Sequence, residues 1–339
     1  MTKRLAILLT ALLTLWALFA PAFASSPRSL KQLQKPALLQ PLTADQLEKA
    51  ASKLDPELLA ALQTADPATP LTVIVRLGGQ ADLSSAADLT AKTARGAFVY
   101  QALQAYARRA QAGLQAELAT AVRASLAGDI RPFFITNAVA VTARPDLVWH
   151  LALRDDVETI TPNRIYQLEA GRPAAAPSIP RQSAAAASPT AEWNIAQINA
   201  DDVWTQYGID GRGILVANLD SGVDFQHPAL VNQYAGNLGG GSFDHDYHWY
   251  DATDQMLPVP YDDNGHGTHT MGTTVGGDGP GPFADDIGVA PGATWIAVKA
   301  FTYDGYATTA DIHEAYEWLL APCPAGVAPG SIECDPARA

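Results

Sequence analysis

The stretch Gly213-Ile-Leu-Val-Ala-Asn-Leu-Asp-Ser-Gly-Val-Asp224 decides the fold of the C-terminal half of this chain. Its continuous apolar run, residues 213–219, is typical of a strand buried in a parallel sheet. Residues 294–301 form a second run of this kind, and residues 310–320 have helical spacing. Strands that alternate with helices predict an α/β fold with a doubly wound, mostly parallel sheet. We expect the sequence to hold only the opening part of that sheet.

Asp220 follows the first apolar run directly, and Ser221-Gly222 turns the chain away. Functional groups of open α/β sheets gather beyond the carboxyl ends of the strands, so Asp220 is a candidate catalytic carboxylate. A structural role, in which Asp220 caps the next helix or accepts backbone N–H groups, is the alternative. Asp224 lies beyond the turn, and we expect it to be structural.

The second candidate is His266, in the run Asp262-Asp-Asn-Gly-His-Gly-Thr-His-Thr-Met-Gly272. It lies between two glycines at a predicted helix start, where a substrate backbone can approach the ring. The helix dipole disfavours a charged imidazole there, whereas a nearby aspartate favours it, and a general base needs this balance. His269 lies one turn further on, and we expect it to be a packed core histidine.

A metal site is the competing interpretation of the same histidines. His266 and His269 could bind a divalent cation together with nearby carboxylates, namely Asp220, Asp262 and Asp263. Zinc hydrolases, however, carry their helical histidines at i and i+4 with a Glu between them, whereas the spacing here is i and i+3. We therefore favour the interpretation in which Asp220 and His266 form a charge-relay pair. The His- and Asp-rich residues 245–254 are expected to form a solvated loop, with calcium there as an open alternative.

Four stretches resemble the subtilase family of serine peptidases, and within it the bacillopeptidase F-like secreted members. They are residues 211–230, 263–272, 287–301 and 310–319. The resemblance implies a subtilisin-like fold in which Asp220 orients His266, and His266 takes the proton from a serine hydroxyl. Family members commonly have Asp after His-Pro, where it helps to hold calcium, but this chain has Ala229. We therefore expect no required cofactor and leave calcium open.

The nucleophile is missing from this pattern. After Glu192 the serines are Ser221, Ser242 and Ser331, and none lies in a Gly-Thr-Ser-type turn. The oxyanion-hole asparagine and the substrate-binding strand of the family are also absent. We therefore expect an N-terminal portion of a serine endopeptidase precursor that is inactive as given, because covalent catalysis needs the serine.

The N-terminal half predicts export followed by a separate domain. Lys3 and Arg4 precede the apolar residues 5–20, and Ala22-Phe-Ala24 has the small-residue cleavage pattern of a signal peptide, residues 1–24. We expect the mature protein to be secreted and not to be held in a membrane. A polar lead, residues 25–70, a propeptide domain, residues 71–169, and a Pro/Ala/Ser linker, residues 170–190, follow, and the catalytic part is residues 191–339.

The domain 71–169 is expected to be a small α+β domain that resembles the inhibitor-like propeptide of the family. We predict strands at 71–77, 133–143 and 157–168, and helices at 91–126 and 145–155. The resemblance implies that this domain acts as an intramolecular inhibitor. It also implies that the substrates are proteins or peptides.

Charge and cysteines bound the remaining choices. Residues 1–190 hold 19 Lys/Arg and 14 Asp/Glu, whereas residues 191–339 hold 3 and 21, which argues against nucleic-acid binding by the second half. Cys323 and Cys334 fit one disulfide in an exported chain, although the spacing does not establish bonding and free thiols stay open.

Two further classes of function stay open. One is a non-enzymatic inhibitor or folding chaperone of the propeptide type that carries an incomplete catalytic half. The other is a metal-dependent hydrolase. We also expect residues 191–339 alone to be loosely ordered, with exposed apolar strand edges.

Overall fold

The computed structural model describes residues 40–168, 192–277 and 286–339, which belong to one compact unit beginning at Gln40. The predicted signal peptide and linker lie outside the described residues. Within the described ranges, none of the helices is both long enough and apolar enough to cross a membrane.

The first half is a four-stranded antiparallel sheet covered by helices. Its strands lie in the order β2-β3-β1-β4. In chain order its elements are α1 (Ala44–Ala51), α2 (Pro56–Thr64), β1 (Leu71–Leu77), α3 (Lys92–Arg123), β2 (Ala127–Phe133), β3 (Ala138–Ala143), α4 (Pro145–Ala152) and β4 (Val157–Pro162). A short strand, β5 (Ile165–Gln167), follows and leaves this sheet.

Apolar side chains at the centre of this sheet account for its order. Val75 of β1 lies opposite Val139 of β3 and Ile160 of β4, and all three are completely buried. Helix α3 contacts β2 and β3, with Leu114 and Leu118 fully buried at a spacing of four residues. The buried side chains of the strands and of α3 therefore follow the periodicities of a strand and of a helix, respectively.

Two of the predicted strands are wrong in extent. The predicted strand 133–143 is a hairpin, because residues 134–137 form a turn and Asn137 has a φ of 48°. Its first strand, β2, includes Gly128 and Asp129, and the pairing with β3 shifts register between Gly128 and Arg131, as in a bulge. The predicted strand 157–168 is divided between β4 and β5.

Part of the predicted lead contributes to this domain. Within residues 25–70, helices α1 and α2 pack on α4 and β4, respectively. Leu54, between the two helices, pairs with Ile160 of β4, and Leu58 and Leu62 of α2 are buried. Thr43 begins α1 with a capping box.

The second half contains a parallel sheet with the order β6-β10-β9 in the described residues, and this confirms the predicted α/β class. In chain order its elements are α5 (Trp193–Gln197), α6 (Ala200–Tyr207), β6 (Leu215–Asp220), β7 (Asn237–Gly239), β8 (Ser242–Phe243), β9 (Trp249–Asp251), α7 (His266–Val275), β10 (Thr294–Lys299), β11 (Tyr306–Thr308) and α8 (Thr309–Leu320).

The apolar sequence of β10 is explained by burial on both of its faces. Trp295 and Ala297 belong to one buried cluster, whereas Ile296 and Val298 belong to another. Both faces of the strand are therefore covered, as in a doubly wound sheet. Strand β6 lies at the edge of the described sheet, and its central residue Ala217 is exposed.

The two halves are joined by a strand pair and by helix α8. Strand β5 pairs antiparallel with β11, and α8 packs on β2. Arg131 of β2 forms ion pairs with Asp311 and Glu314 of α8, at 3.0 and 3.4 Å. After α8, Cys323 and Cys334 form a disulfide.

Candidate active site

Strand β6 and helix α7 bring the two predicted catalytic side chains into contact. Asp220 is the last residue of β6, and His266 is the first residue of α7. Nδ1 of His266 lies 2.7 Å from Oδ1 of Asp220. The Asp220 side chain is 9% exposed and the His266 side chain 34%, so the pair is buried on the carboxylate side and open on the imidazole side.

Further hydrogen bonds fix the Asp220 carboxylate. The backbone N–H of Ser221 donates to Oδ1 at 2.7 Å, and the Thr270 hydroxyl donates to Oδ2 at 3.0 Å. A carboxylate held at both oxygens keeps a defined orientation towards the imidazole. The ring then has its proton on Nδ1, and Nε2 is left to accept a proton.

Asp262 connects the Asp220 turn to the start of the histidine helix. Its Oδ1 accepts hydrogen bonds from the Gly265 N–H at 2.8 Å and the Ser221 hydroxyl at 2.9 Å. Its Oδ2 accepts from the backbone N–H and the hydroxyl of Thr268, at 2.8 and 2.6 Å. Ser221 Oγ in turn accepts from the Gly267 N–H at 2.9 Å. We call this arrangement of Ser221, Asp262 and the start of α7 the loop clamp.

The pKa of Asp262 reflects this bonding. Burial by itself raises the pKa of the carboxyl group, but the hydrogen bonds from Thr268, Gly265 and Ser221 outweigh burial and hold the pKa below its usual value. Asp262 therefore stays ionised as an acceptor. Both of its oxygens already accept hydrogen bonds, which does not favour the alternative of a metal site.

Glycines allow the turn after Asp220 and the start of α7 to touch. A Cβ atom on Gly267 would lie 2.0 Å from the carbonyl oxygen of Gly222. Gly222 itself has a φ of 104°, and a Cβ there would lie 2.0 Å from the carbonyl oxygen of Tyr261. The glycine next to His266 therefore permits close packing behind the ring as well as access in front of it.

Lys299 is a buried residue beside the site that the sequence alone did not single out. Its side chain is completely buried at the end of β10. Nζ donates to the carbonyl oxygen of Ser221 and to Oδ1 of Asp263, both at 2.6 Å, and lies 4.8 Å from the centre of the Tyr261 ring. Lys299 therefore holds the turn after Asp220 through the Ser221 carbonyl. The signal was available, because a lysine ends an otherwise apolar strand.

Several other predicted side-chain roles need correction. His269 is exposed rather than packed in the core. Residues 245–254 are not a solvated loop, because β9 lies in the sheet and Asp251 is 2% exposed. The Asp251 carboxylate accepts hydrogen bonds from Thr253, Leu257 and Tyr261.

Ala229 lines a cavity of about 600 Å³ beside α7. The lining is largely apolar, with Trp193, Leu230 and Ile287, and it includes the histidines His227 and His269 but no carboxylate. In the described ranges no group of three or more His, Cys, Asp or Glu residues is placed to hold a metal ion. These residues do not fit a calcium site, and the cofactor expectation stays a prediction.

The three serines after Glu192 lie in other environments. Ser221 belongs to the loop clamp, Ser242 lies in β8, and the Ser331 carbonyl accepts a hydrogen bond from Tyr100. None of them is hydrogen-bonded to His266 among the contacts of residues 192–277 and 286–339. The site therefore consists of an oriented carboxylate and imidazole.

A buried carboxylate that orients a partly exposed imidazole, at the carboxyl end of a parallel strand, has the geometry expected of the Asp–His pair of a serine peptidase. Residues 211–330 match the model of the Subtilase family. The chain is 35% identical over 321 residues to bacillopeptidase F of Bacillus subtilis (strain 168), which covers 93% of this chain and 22% of that protein. Residues 211–330 therefore form a subtilase-family domain, as the motifs predicted.

Other relatives match over shorter stretches. The chain is 37% identical over 126 residues to the major intracellular serine protease of Bacillus subtilis (strain 168), which is 37% of this chain and 34% of that protein. It is 36% identical over 112 residues to serine protease AprX of the same organism, which is 33% of this chain and 22% of that protein. The chain thus spans about a fifth to a third of the length of these relatives.

Proposed function

We propose that this chain is the Asp–His portion of a secreted serine endopeptidase precursor that hydrolyses peptide bonds in proteins or peptides. The observation that carries the proposal is the 2.7 Å contact between Asp220 and His266 within a subtilase-family domain. The chemistry follows from the geometry.

His266 would act first as the general base and then as the general acid. Asp220 holds the proton on Nδ1, so Nε2 takes the proton of an attacking serine hydroxyl. The buried carboxylate then stabilises the imidazolium that forms. His266 later gives this proton to the leaving amine, and a water molecule hydrolyses the acyl-enzyme.

We propose that the serine comes from residues beyond this sequence. The positions of Ser221, Ser242 and Ser331 support this, as does the 22% of bacillopeptidase F that the chain spans. The chain as given would therefore not cleave peptides.

We also propose that the first half acts as an intramolecular inhibitor. Strand β5 pairs with β11, and the Leu168 N–H donates to the Gly305 carbonyl at 2.8 Å. Asn264, two residues before His266, donates through its side chain to the Tyr303 carbonyl at 2.9 Å. The extended end of the first half thus lies on a strand edge beside the histidine loop, where a substrate strand would add by the same main-chain hydrogen bonds.

Secretion and removal of an N-terminal signal complete the proposal. They rest on the charge and apolar pattern of residues 1–24.

The experiment extends the chain through the downstream residues that supply the serine, and measures casein hydrolysis and labelling by a fluorophosphonate. We expect Asp220→Asn to lower kcat about 10⁴-fold and His266→Ala about 10⁶-fold. The matched control is His269→Ala, since His269 is exposed on the same helix and should leave kcat within about twofold. An extended protein that folds and is freed of its first half, but neither labels nor cleaves casein, would exclude the peptidase assignment.

A further inference from the structure

Asn218 and Thr270 are polar residues in apolar surroundings whose side chains touch each other. Asn218 interrupts the apolar residues of β6, and Thr270 lies four residues after His266 on α7, so it faces the same side of the helix. Nδ2 of Asn218 lies 3.0 Å from Thr270 Oγ1 and 3.0 Å from the Gly267 carbonyl oxygen.

The chemistry of these atoms fixes the direction of each hydrogen bond. The Gly267 carbonyl is an acceptor only, so the Asn218 atom beside it must be the NH2 group and not the amide oxygen. The second hydrogen of that NH2 group then points to Thr270 Oγ1, which accepts it. The hydroxyl hydrogen of Thr270 remains to be donated.

Two acceptors lie within reach of that hydroxyl hydrogen. Asp220 Oδ2 lies at 3.0 Å and the Gly267 carbonyl oxygen at 3.1 Å. The carbonyl already accepts from Asn218, whereas Oδ2 belongs to a buried carboxylate, and a hydrogen bond to an ionised acceptor is roughly twice as strong. The hydrogen therefore goes to Asp220.

We propose that Thr270, oriented by Asn218, is a positioning residue for the Asp220–His266 pair. Its hydroxyl holds Oδ2, so the carboxylate plane cannot turn, and Oδ1 stays on the Nδ1 proton of His266. This role rests on the proposed function for its catalytic meaning, but the hydrogen bonds can be tested without a nucleophile.

The test uses the 339-residue chain with ¹⁵N-labelled histidine at pH 9. The readout is the rate at which the Nδ1 proton of His266 exchanges with water; the resonance is assigned by its loss in His266→Gln. In Thr270→Val we expect exchange about tenfold faster, because a hydrogen bond to a charged group is worth about that factor. Thr270→Ser keeps the hydroxyl and should restore slow exchange.

Thr274→Val is the matched control. The Thr274 hydroxyl donates to the Thr270 carbonyl at 2.9 Å, one turn further along the same helix. A merely structural role would make both valine variants exchange equally fast. Asn218→Ala, which frees the Thr270 hydroxyl to turn towards Gly267, should accelerate exchange several-fold and serves if Thr270→Val does not fold.

The outcomes separate this inference from the proposed function. Exchange in Thr270→Val within twofold of the parent, or equal acceleration in Thr274→Val, overturns the positioning role and leaves the Asp220–His266 contact standing. If the parent chain itself shows no protected Nδ1 proton, the contact on which the proposed function depends is refuted as well.

Discussion

Replacement of Glu317 by Gln should remove a pH dependence from the stability of this protein. Glu317 lies on α8 under the first half and is 3% exposed. Its Oε1 accepts the backbone N–H groups of Ile135, at 3.0 Å, and of Phe134. Burial raises the pKa of the carboxyl group to about 8; the hydrogen bonds from Ile135 and Phe134 oppose this rise, and the nearby Glu314 adds to it.

The direction of the effect follows from proton linkage. The pKa is raised in the folded chain, so the folded state binds a proton that the unfolded state has lost. The stabilisation is complete below pH 4.5, the ordinary value for this group, and is lost as the pH rises through about 8. The whole rise corresponds to at most about 5 kcal/mol, which is a slope of roughly 1.4 kcal/mol per pH unit.

Urea unfolding of the full chain between pH 7 and pH 9 measures this slope. Burial lowers the pKa of the neighbouring His313. Its titration therefore destabilises the folded chain only as the pH falls below the ordinary histidine range, which lies outside the window from pH 7 to pH 9. We expect the parent to lose about 1 kcal/mol or more from pH 7 to pH 8, and Glu317→Gln to lose much less. Glu333→Gln is the control, because Glu333 is exposed. Equal slopes in the parent and Glu317→Gln would refute the argument.

Two further substitutions test the support of the site. Lys299→Met should destabilise the chain by about 3 kcal/mol in urea unfolding, because Asp263 and the Ser221 carbonyl lose a fully buried cation; a change below about 1 kcal/mol would contradict this role. Gly267→Ala should abolish the slow exchange of the His266 Nδ1 proton, since its Cβ would meet the Gly222 carbonyl at 2.0 Å; unchanged exchange would show that the loop can shift without cost.

The contact between Asp220 and His266 could be predicted because the signals of both residues are local. Asp220 ends an apolar strand, and His266 begins a helix between two glycines, so each position is readable from about ten residues. The supporting contacts could not be predicted in this way. Lys299 and Ser221 are 78 residues apart, and only the parallel register of β10 beside β6 brings them together.

The errors in the fold have the same origin. Residues 133–143 are mostly apolar, and that composition fits either one strand or a hairpin. The turn at Asn137 is held by hydrogen bonds from its side chain to the carbonyls of Gly78 and Gly79, at 3.4 and 3.2 Å. These two glycines lie 59 and 58 residues earlier in the chain. Likewise β5 finds its partner β11 about 140 residues later, and no pattern within residues 157–168 encodes that choice.

The pairing of β5 with β11 has a consequence for how readily a peptide can displace β5. Because both strands belong to one polypeptide, the association is unimolecular, and the local concentration of one strand near the other can reach the millimolar range. A dissolved peptide would have to match that concentration to displace β5. Scission of the backbone between Leu168 and Glu192 would turn the same contact into an ordinary bimolecular equilibrium, in which dilution alone favours release.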